Sequence, residues 1–180
     1  MSIQPACLIV IVSLVLLPAG PVSAEVKQRA ADGFLLEFER EVEVAPGEAY
    51  DRMVRDFGSW WNPEHSYGGV AENLSLHLEQ RCLLETLPEG GFVRHLEIVA
   101  HMPGQMMVLR GGLGPLQPMG VNGALVIQFR PGDNGRSLIS VRYAVHGPTY
   151  QNLQELAAPV DGVLAEQLDR LQKLLNTEAG

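Results

Sequence analysis

The chain has little cysteine and few basic residues, and each shortage excludes a class of protein. Of the two cysteines, Cys7 lies in an N-terminal apolar run, so Cys82 is the only thiol after residue 24. We therefore expect no disulfide within the folded domain. Thirteen basic residues stand against 21 acidic ones, a net charge of −8. This excess of negative charge argues against nucleic acid and anionic membrane surfaces as partners.

Motifs for metals and other cofactors are also missing. None of the five histidines is spaced for metal binding with another histidine, a cysteine or a carboxylate. The glycine-rich segment, residues 111–123, has the wrong glycine spacing for a nucleotide-binding loop, and no helix is predicted after it. Cys82 lies in an apolar strand and is interpreted as a small core residue. We expect no metal and no other cofactor.

Residues 1–24 have the pattern of a secretory signal peptide. An apolar run from about Cys7 to Leu17 is followed by helix-breaking residues and then by the small residues Val22-Ser23-Ala24. The alternative is an uncleaved anchor, but the run is short for a bilayer span. We predict cleavage after Ala24, a periplasmic or secreted protein, and no stable membrane insertion. The predicted plan is an extension over 25–33, one domain over 34–176 and a tail over 177–180.

The longest periodic stretch lies near the C-terminus. From Leu153 to Leu175 apolar residues recur at steps of three and four, which is the period of one helix face. Pro159 predicts that the helix bends or restarts there. Gln167 lies close to the centre of the apolar stripe. Its amide must therefore have a structural hydrogen-bond partner or face a polar space, because a buried amide without partners is costly.

The rest of the chain predicts strands and short helices. Phe34 to Val44 alternates between apolar and acidic residues, and Pro46 opens a short helix over 47–56. Further strands are predicted over 74–87, 92–102, 106–113, 123–130 and 137–146. Their short, turn-like connections indicate an antiparallel meander. The sheet and the long helix each have one apolar face to cover, so we predict an α+β fold in which a curved antiparallel sheet wraps around the long C-terminal helix.

This order resembles the helix-grip fold of the SRPBCC superfamily, which includes START domains and birch-pollen allergens. The resemblance covers about residues 34–176. Within the superfamily the chain looks like the bacterial branch of polyketide cyclase-like and dehydratase-like proteins. The resemblance is carried by Val42 to Tyr50, Trp60 to His65, Gly90-Gly91 with His95, Leu113 to Gln117, and Val160 to Leu164 with Gln167-Leu168. The resemblance implies a cavity between sheet and helix, in a superfamily of lipid carriers, hormone receptors and cyclases.

Several polar and aromatic residues are candidates for lining such a cavity. The two tryptophans either seal the core or form the rim of an apolar pocket, with neighbouring polar side chains at its edge. His65 and His95 are the candidate general acids or bases. In an enzyme, Arg40 or Arg142 would hold an enolate or carboxylate. The predicted ligand-binding residues are Arg40, Trp60, Trp61, His65, Tyr67, His95, Arg142, Tyr143 and Gln167.

Three functions are consistent with these features. The first is an exported protein that binds a hydrophobic, lipid-like small molecule in an internal cavity. The second is a cyclase-like or dehydratase-like enzyme that uses His and Arg in that cavity. The third is a protein-interaction module. The volume and lining of the space beside Gln167 discriminate best between them, while ligand identity and oligomeric state stay open.

Overall fold

The computed structural model describes residues 25–177, and both the predicted signal peptide and residues 178–180 lie outside the described residues. One antiparallel sheet has the order β1-β2-β8-β7-β6-β5-β4-β3, so β1 and β3 form its edges. The strands are β1 (Glu25–Ala30), β2 (Gly33–Val42), β3 (Leu74–His77), β4 (Cys82–Thr86), β5 (Phe92–Met102), β6 (Met106–Arg110), β7 (Asn122–Pro131) and β8 (Ser137–His146). The helices are α1 (Pro46–Arg55), α2 (Phe57–Trp60) and α3 (Ala157–Thr177), with short 3-10 turns between elements.

The centre of the sheet follows the alternation of its sequence. Leu36 on β2 pairs with Tyr143 on β8, and Phe38 pairs with Val141. These four side chains are buried on the concave face, while Glu37 and Arg142 between them point outward. The predicted α+β arrangement, a curved sheet wrapped around a long C-terminal helix, is confirmed. Between residues 25 and 177 no helix is both long and apolar enough to cross a membrane.

The long helix begins later than the apolar stripe does. A separate 3-10 turn covers Leu153–Glu155, and α3 then starts at Ala157. Pro159 lies in the first helical turn, where a backbone N–H has no intrahelical partner to lose. Pro159 therefore marks a restart of the helix rather than a bend within it. The buried face of α3 carries Leu164, Leu168, Leu171 and Leu175, and it packs against β1 and β2.

Two parts of the sheet differ from the sequence prediction. The residues expected as an extension include an edge strand, because β1 pairs with β2. The prediction of one strand over 74–87 is wrong, since the chain reverses at residues 78–81 and β3 pairs with β4. Arg81 takes a left-handed conformation there, with φ of 53°. The segment Leu-Glu-Gln-Arg contains no Gly, Pro or Asn, so the usual turn signals are missing.

The two short helices close the far end of α3. Arg52 on α1 donates to the carbonyl of Leu174 at 3.0 Å, and a cation near a helix C-terminus is favoured by the helix dipole. Arg170 on α3 donates to the carbonyl of Trp60 at 2.7 Å. The indole N–H of Trp60 donates in turn to the carbonyl of Met53 at 3.2 Å. These bonds fix α1 and α2 to α3 and to each other.

Candidate functional site

The interior beside Gln167 is nearly filled. The space there measures about 50 Å³, well below the roughly 300–1,000 Å³ of small-molecule sites. Gln167 is 1% exposed, its Oε1 accepts the backbone N–H of Asn62 at 2.7 Å, and its Nε2 donates to the Val163 carbonyl at 3.2 Å. The structural interpretation of Gln167 is therefore confirmed. A ligand-sized cavity is not found at this position.

A larger space lies at the N-terminal end of α3. We call it the end cleft, and its volume is about 520 Å³. One wall is the rim loop, residues 61–69, the second is the glycine-rich segment, and the third is the beginning of α3. Its lining is mainly apolar and includes Trp61, Leu113, Leu116, Leu156, Val160 and Leu164, with His65, Tyr67 and His95 among the polar side chains.

The glycine-rich wall is held from beneath by Tyr143. The Tyr143 hydroxyl donates to the carbonyl of Gly111 at 3.2 Å and accepts the N–H of Leu113 at 3.1 Å. Burial raises the pKa of Tyr143 to about 12, although the Leu113 N–H acts in the opposite direction. The hydroxyl thus stays protonated and keeps both bonds. Tyr143 supports the wall of the end cleft but is not among the residues that line it.

The rim loop is attached to α3 through Glu166. One oxygen of Glu166 accepts from the side-chain amide of Asn62, and the other lies 3.1 Å from Nε2 of His65. The indole N–H of Trp61 donates to the His65 carbonyl at 2.9 Å. Trp61 is buried and His65 is about one-third exposed. The rim and core interpretations of Trp61 are therefore both correct, since its ring seals the core and also lines the end cleft.

Beneath these three walls, His95 on β5 forms the floor of the end cleft and is paired with a buried carboxylate, Glu85. Nε2 of His95 lies 2.9 Å from Oε2 of Glu85, and the two residues are 4% and 0% exposed. Glu85 also accepts the backbone N–H of Gly68 at 2.6 Å and of Tyr67 at 3.1 Å. Burial alone would raise the pKa of the Glu85 carboxyl. The hydrogen bonds from Gly68, Tyr67 and His95 outweigh burial and hold that pKa below its ordinary value.

A β-bulge directs His95 onto the inner face. Leu83 pairs with Leu96, whereas Leu84 pairs with Arg94, so His95 is an extra residue without a partner on β4. Strict alternation would place His95 and Leu96 on opposite faces, but both are buried. Bulges are common beside functional sites because they re-aim a single side chain. Here the bulge puts the imidazole next to Glu85.

Tyr67 lies between the two loop walls. Its ring centroid is 5.7 Å from that of His95, and its hydroxyl donates to the carbonyl of Gly114 at 3.3 Å. The side chain is 54% exposed. Tyr67 therefore lies over His95 and connects the rim loop to the glycine-rich segment by one hydrogen bond.

Besides Tyr143 and Gln167, three predicted site residues lie away from the end cleft. Arg142 is on the outer face of β8, where its Nε lies 3.5 Å from Glu37, because alternation turns its neighbours Val141 and Tyr143 inward. Arg40 is buried as expected, but its Nε donates to Asp169 of α3 at 2.8 Å. Trp60 is packed in the core. The expectation that these arginines hold an anion in the cavity is therefore wrong: no Lys or Arg lines the end cleft among the described residues.

Sequence reasoning missed the two carboxylates that organise the site. Glu85 follows Leu83 on the inner face of β4. A carboxylate at a strand position that alternation turns inward indicates a buried acid with hydrogen-bond partners. Glu166 falls outside the apolar stripe of α3, and helical periodicity gives no sign of what it contacts. Over residues 25–177 no three His, Cys, Asp or Glu side chains are close enough to hold a metal ion.

Comparisons with known proteins give the fold alone. No family model matches the chain, and no curated protein matches it. A solved structure from Arthrobacter aurescens is similar with a TM-score of 0.59 and 12% identity, covering 86% of this chain and 91% of that one. A protein from Mycobacterium smegmatis has a TM-score of 0.58 and 15% identity over 87% and 98% of the two chains.

A third similar structure is described as a conserved protein of unknown function from Enterococcus faecalis. Its TM-score is 0.56 with 9% identity, covering 87% of this chain and 78% of that chain. At such low identities the likeness extends to the arrangement of helices and strands and to nothing finer. The chemistry of the end cleft must therefore be argued from its own residues.

Proposed function

We propose that the protein binds a small, largely apolar molecule in the end cleft. The observation that carries this proposal is the cleft itself, whose volume of about 520 Å³ is in the range of ordinary ligand sites. Its lining has seven Leu, Val and Trp side chains, together with one Met and two Pro, and five polar or titratable side chains. Such a lining favours an apolar body, and a few polar groups would then orient it.

We further propose that the protein is exported and belongs to the SRPBCC superfamily. The first described strand, β1, begins at Glu25, so cleavage after Ala24 would leave every described strand intact. The sheet around α3 is what the resemblance implies, whereas the implied cavity between sheet and helix is replaced by an open space at one end of the helix. N-terminal sequencing of the protein from the periplasm or medium of an expressing bacterium tests export, with Glu25 expected as the first residue.

A cyclase-like or dehydratase-like enzyme is the second candidate. It is favoured by the buried Glu85–His95 pair, because a carboxylate that orients an imidazole is a common arrangement for a general base. It is disfavoured by the absence of a cation in the cleft lining, since a developing enolate or carboxylate would have no positive partner there.

A fluorescent dye and a blocked cleft test the binding proposal. The neutral dye N-phenyl-1-naphthylamine is titrated into the purified protein and into Val163→Trp, which fills the end cleft with an indole. The matched control is Ala158→Trp, at an exposed position of α3 outside the cleft. We expect saturable binding by the wild type and by the control, and at least tenfold weaker binding by Val163→Trp. Equal binding by all three proteins would contradict the proposal.

Mass spectrometry separates a carrier from an enzyme. Organic extracts of the wild type and of Val163→Trp are compared for a molecule that only the wild type retains. That molecule is then incubated with fresh protein and analysed again. Recovery in unchanged form is expected for a binding protein, whereas conversion to a product of different mass supports the enzyme.

A further inference from the structure

One buried nitrogen of the end cleft has no hydrogen-bond partner. Nδ1 of His95 is closed to solvent and makes no hydrogen bond, and His95 lines the end cleft. The Tyr50 hydroxyl and one oxygen of Asp161 share this condition, but neither residue lines that cleft. A buried polar atom left unpaired costs roughly 1–3 kcal/mol. Such a cost at a cleft wall suggests that a ligand supplies the missing partner.

Glu85 determines what kind of partner that is. An ionised carboxylate only accepts hydrogen bonds, so the proton between Glu85 and His95 lies on Nε2. A neutral imidazole carries one N–H, which leaves the lone pair on Nδ1 as an acceptor. The backbone N–H groups of Tyr67 and Gly68 hold the carboxylate in place at the same time. The matching ligand group is therefore a hydrogen-bond donor.

The surroundings of His95 restrict the rest of the ligand. The neighbouring wall is apolar, with Leu113, Leu116 and Leu164, so the body of the ligand must be apolar as well. Glu64 lines the same cleft without any Lys or Arg in the lining, and Glu85 lies directly behind His95. An anionic ligand would face these negative charges without compensation.

We propose that the end cleft recognises a neutral apolar molecule through one hydroxyl group, a phenol or an alcohol, which donates a hydrogen bond to Nδ1 of His95. This inference rests on the proposed binding function. The exposed Tyr67 ring lies over His95, and it shifts to admit the hydroxyl. Glu85 is a positioning residue in this arrangement, since it acts on the ligand only through the imidazole.

Three biphenyls of the same apolar body test the proposal at about pH 8. The probes are 4-phenylphenol, which donates, 4-fluorobiphenyl, which does not, and biphenyl-4-carbaldehyde, which only accepts. We expect 4-phenylphenol to bind the wild type roughly five- to tenfold more tightly than either of the others, the effect of one net hydrogen bond. In His95→Phe the three affinities should agree within about twofold.

Each outcome supports or overturns the proposal. Equal affinities in the wild type, or preference for the aldehyde, would overturn the hydroxyl assignment while leaving the binding proposal intact. Failure of all three probes to bind at millimolar concentration would count against the proposed function itself.

Imidazole ¹⁵N NMR of the wild type serves if His95→Phe does not fold. It should show an unprotonated Nδ1 whose resonance shifts with 4-phenylphenol and not with 4-fluorobiphenyl. A protonated Nδ1, or equal shifts with both probes, contradicts the proposal.

Discussion

The interior beside Gln167 and the end cleft are both lined mainly by apolar side chains. Their free volumes differ tenfold, about 50 Å³ against about 520 Å³. Around the interior, strands lie on one side and the middle of α3 on the other. Their side chains leave little free space between them, as is usual in close-packed protein cores. Around the end cleft, two of the three walls are loops.

Side-chain hydrogen bonds, in addition to packing, hold the loop walls in position. Tyr143 holds the glycine-rich segment, Glu85 holds the rim loop to the sheet, and Glu166 holds it to α3. Because each bond fixes a wall at a distance, the space between the walls need not be filled. In this fold, free volume is therefore small where helices and strands pack against each other and large where side-chain hydrogen bonds support loops.

Truncation of an interior leucine should have the largest effect. Leu171→Ala removes a side chain that is 1% exposed, and such changes cost roughly 2–5 kcal/mol of unfolding free energy. Val160→Ala, which lines the end cleft and is only half-buried, should cost less than about 1.5 kcal/mol, because little packing is lost. Urea unfolding followed by tryptophan fluorescence measures both, and equal costs would show that the two regions are packed alike.

Glu85→Gln should have the next largest effect, and the effect should depend on pH. At neutral pH the loss of charged hydrogen bonds in a buried site should cost about 1–3 kcal/mol. The pKa of Glu85 is lower in the folded protein than in the unfolded chain, so the unfolded state takes up a proton first as the pH falls. The stabilisation is complete above the unfolded pKa and is lost as the pH falls through the folded pKa.

Unfolding free energies at pH 7 and at about pH 3 check this sign. The difference between wild type and Glu85→Gln should be larger at pH 7 than in acid. A difference that grew in acid would mean that the carboxylate is not the stabilised form.

Tyr143→Phe tests the hydrogen bonds that hold the glycine-rich segment in position. It removes both bonds to the glycine-rich segment without changing the ring, and it should cost about 1 kcal/mol. Hydrogen exchange at the amides of residues 111–121 should accelerate, while exchange in α3 stays unchanged. Acceleration across the whole protein to the same extent would mean that the segment and the core open together.

The smallest effect is expected at the attachment of the rim loop to α3. His65 and Glu166 are 31% and 41% exposed, and pairs of this kind contribute at most about 1 kcal/mol. His65→Gln should therefore leave the unfolding free energy almost unchanged, with Glu64→Gln as a control at the same loop. A loss above about 2 kcal/mol would place this contact among the core interactions.

Local patterns predicted most of the elements, and long-range contacts decided most of the site. The strand at Ser137–His146 and the apolar row of α3 follow from periodicity, which depends on neighbouring residues alone. The reversal at residues 78–81 has no local signal. His95 reaches the inner face through a bulge, which depends on how β5 pairs with β4 rather than on the sequence of β5.

The sequence by itself determined an α+β chain with one long apolar helix face, an alternating antiparallel sheet and an acidic outer surface, because side-chain periodicity follows directly from the geometry of each element. Only the tertiary structure decided where the free space lies and which polar residues face it. Arg40 became a partner of Asp169, Arg142 turned outward, and Glu85 became the residue that orients His95. These outcomes depend on which distant segments come together, and no single segment carries that information.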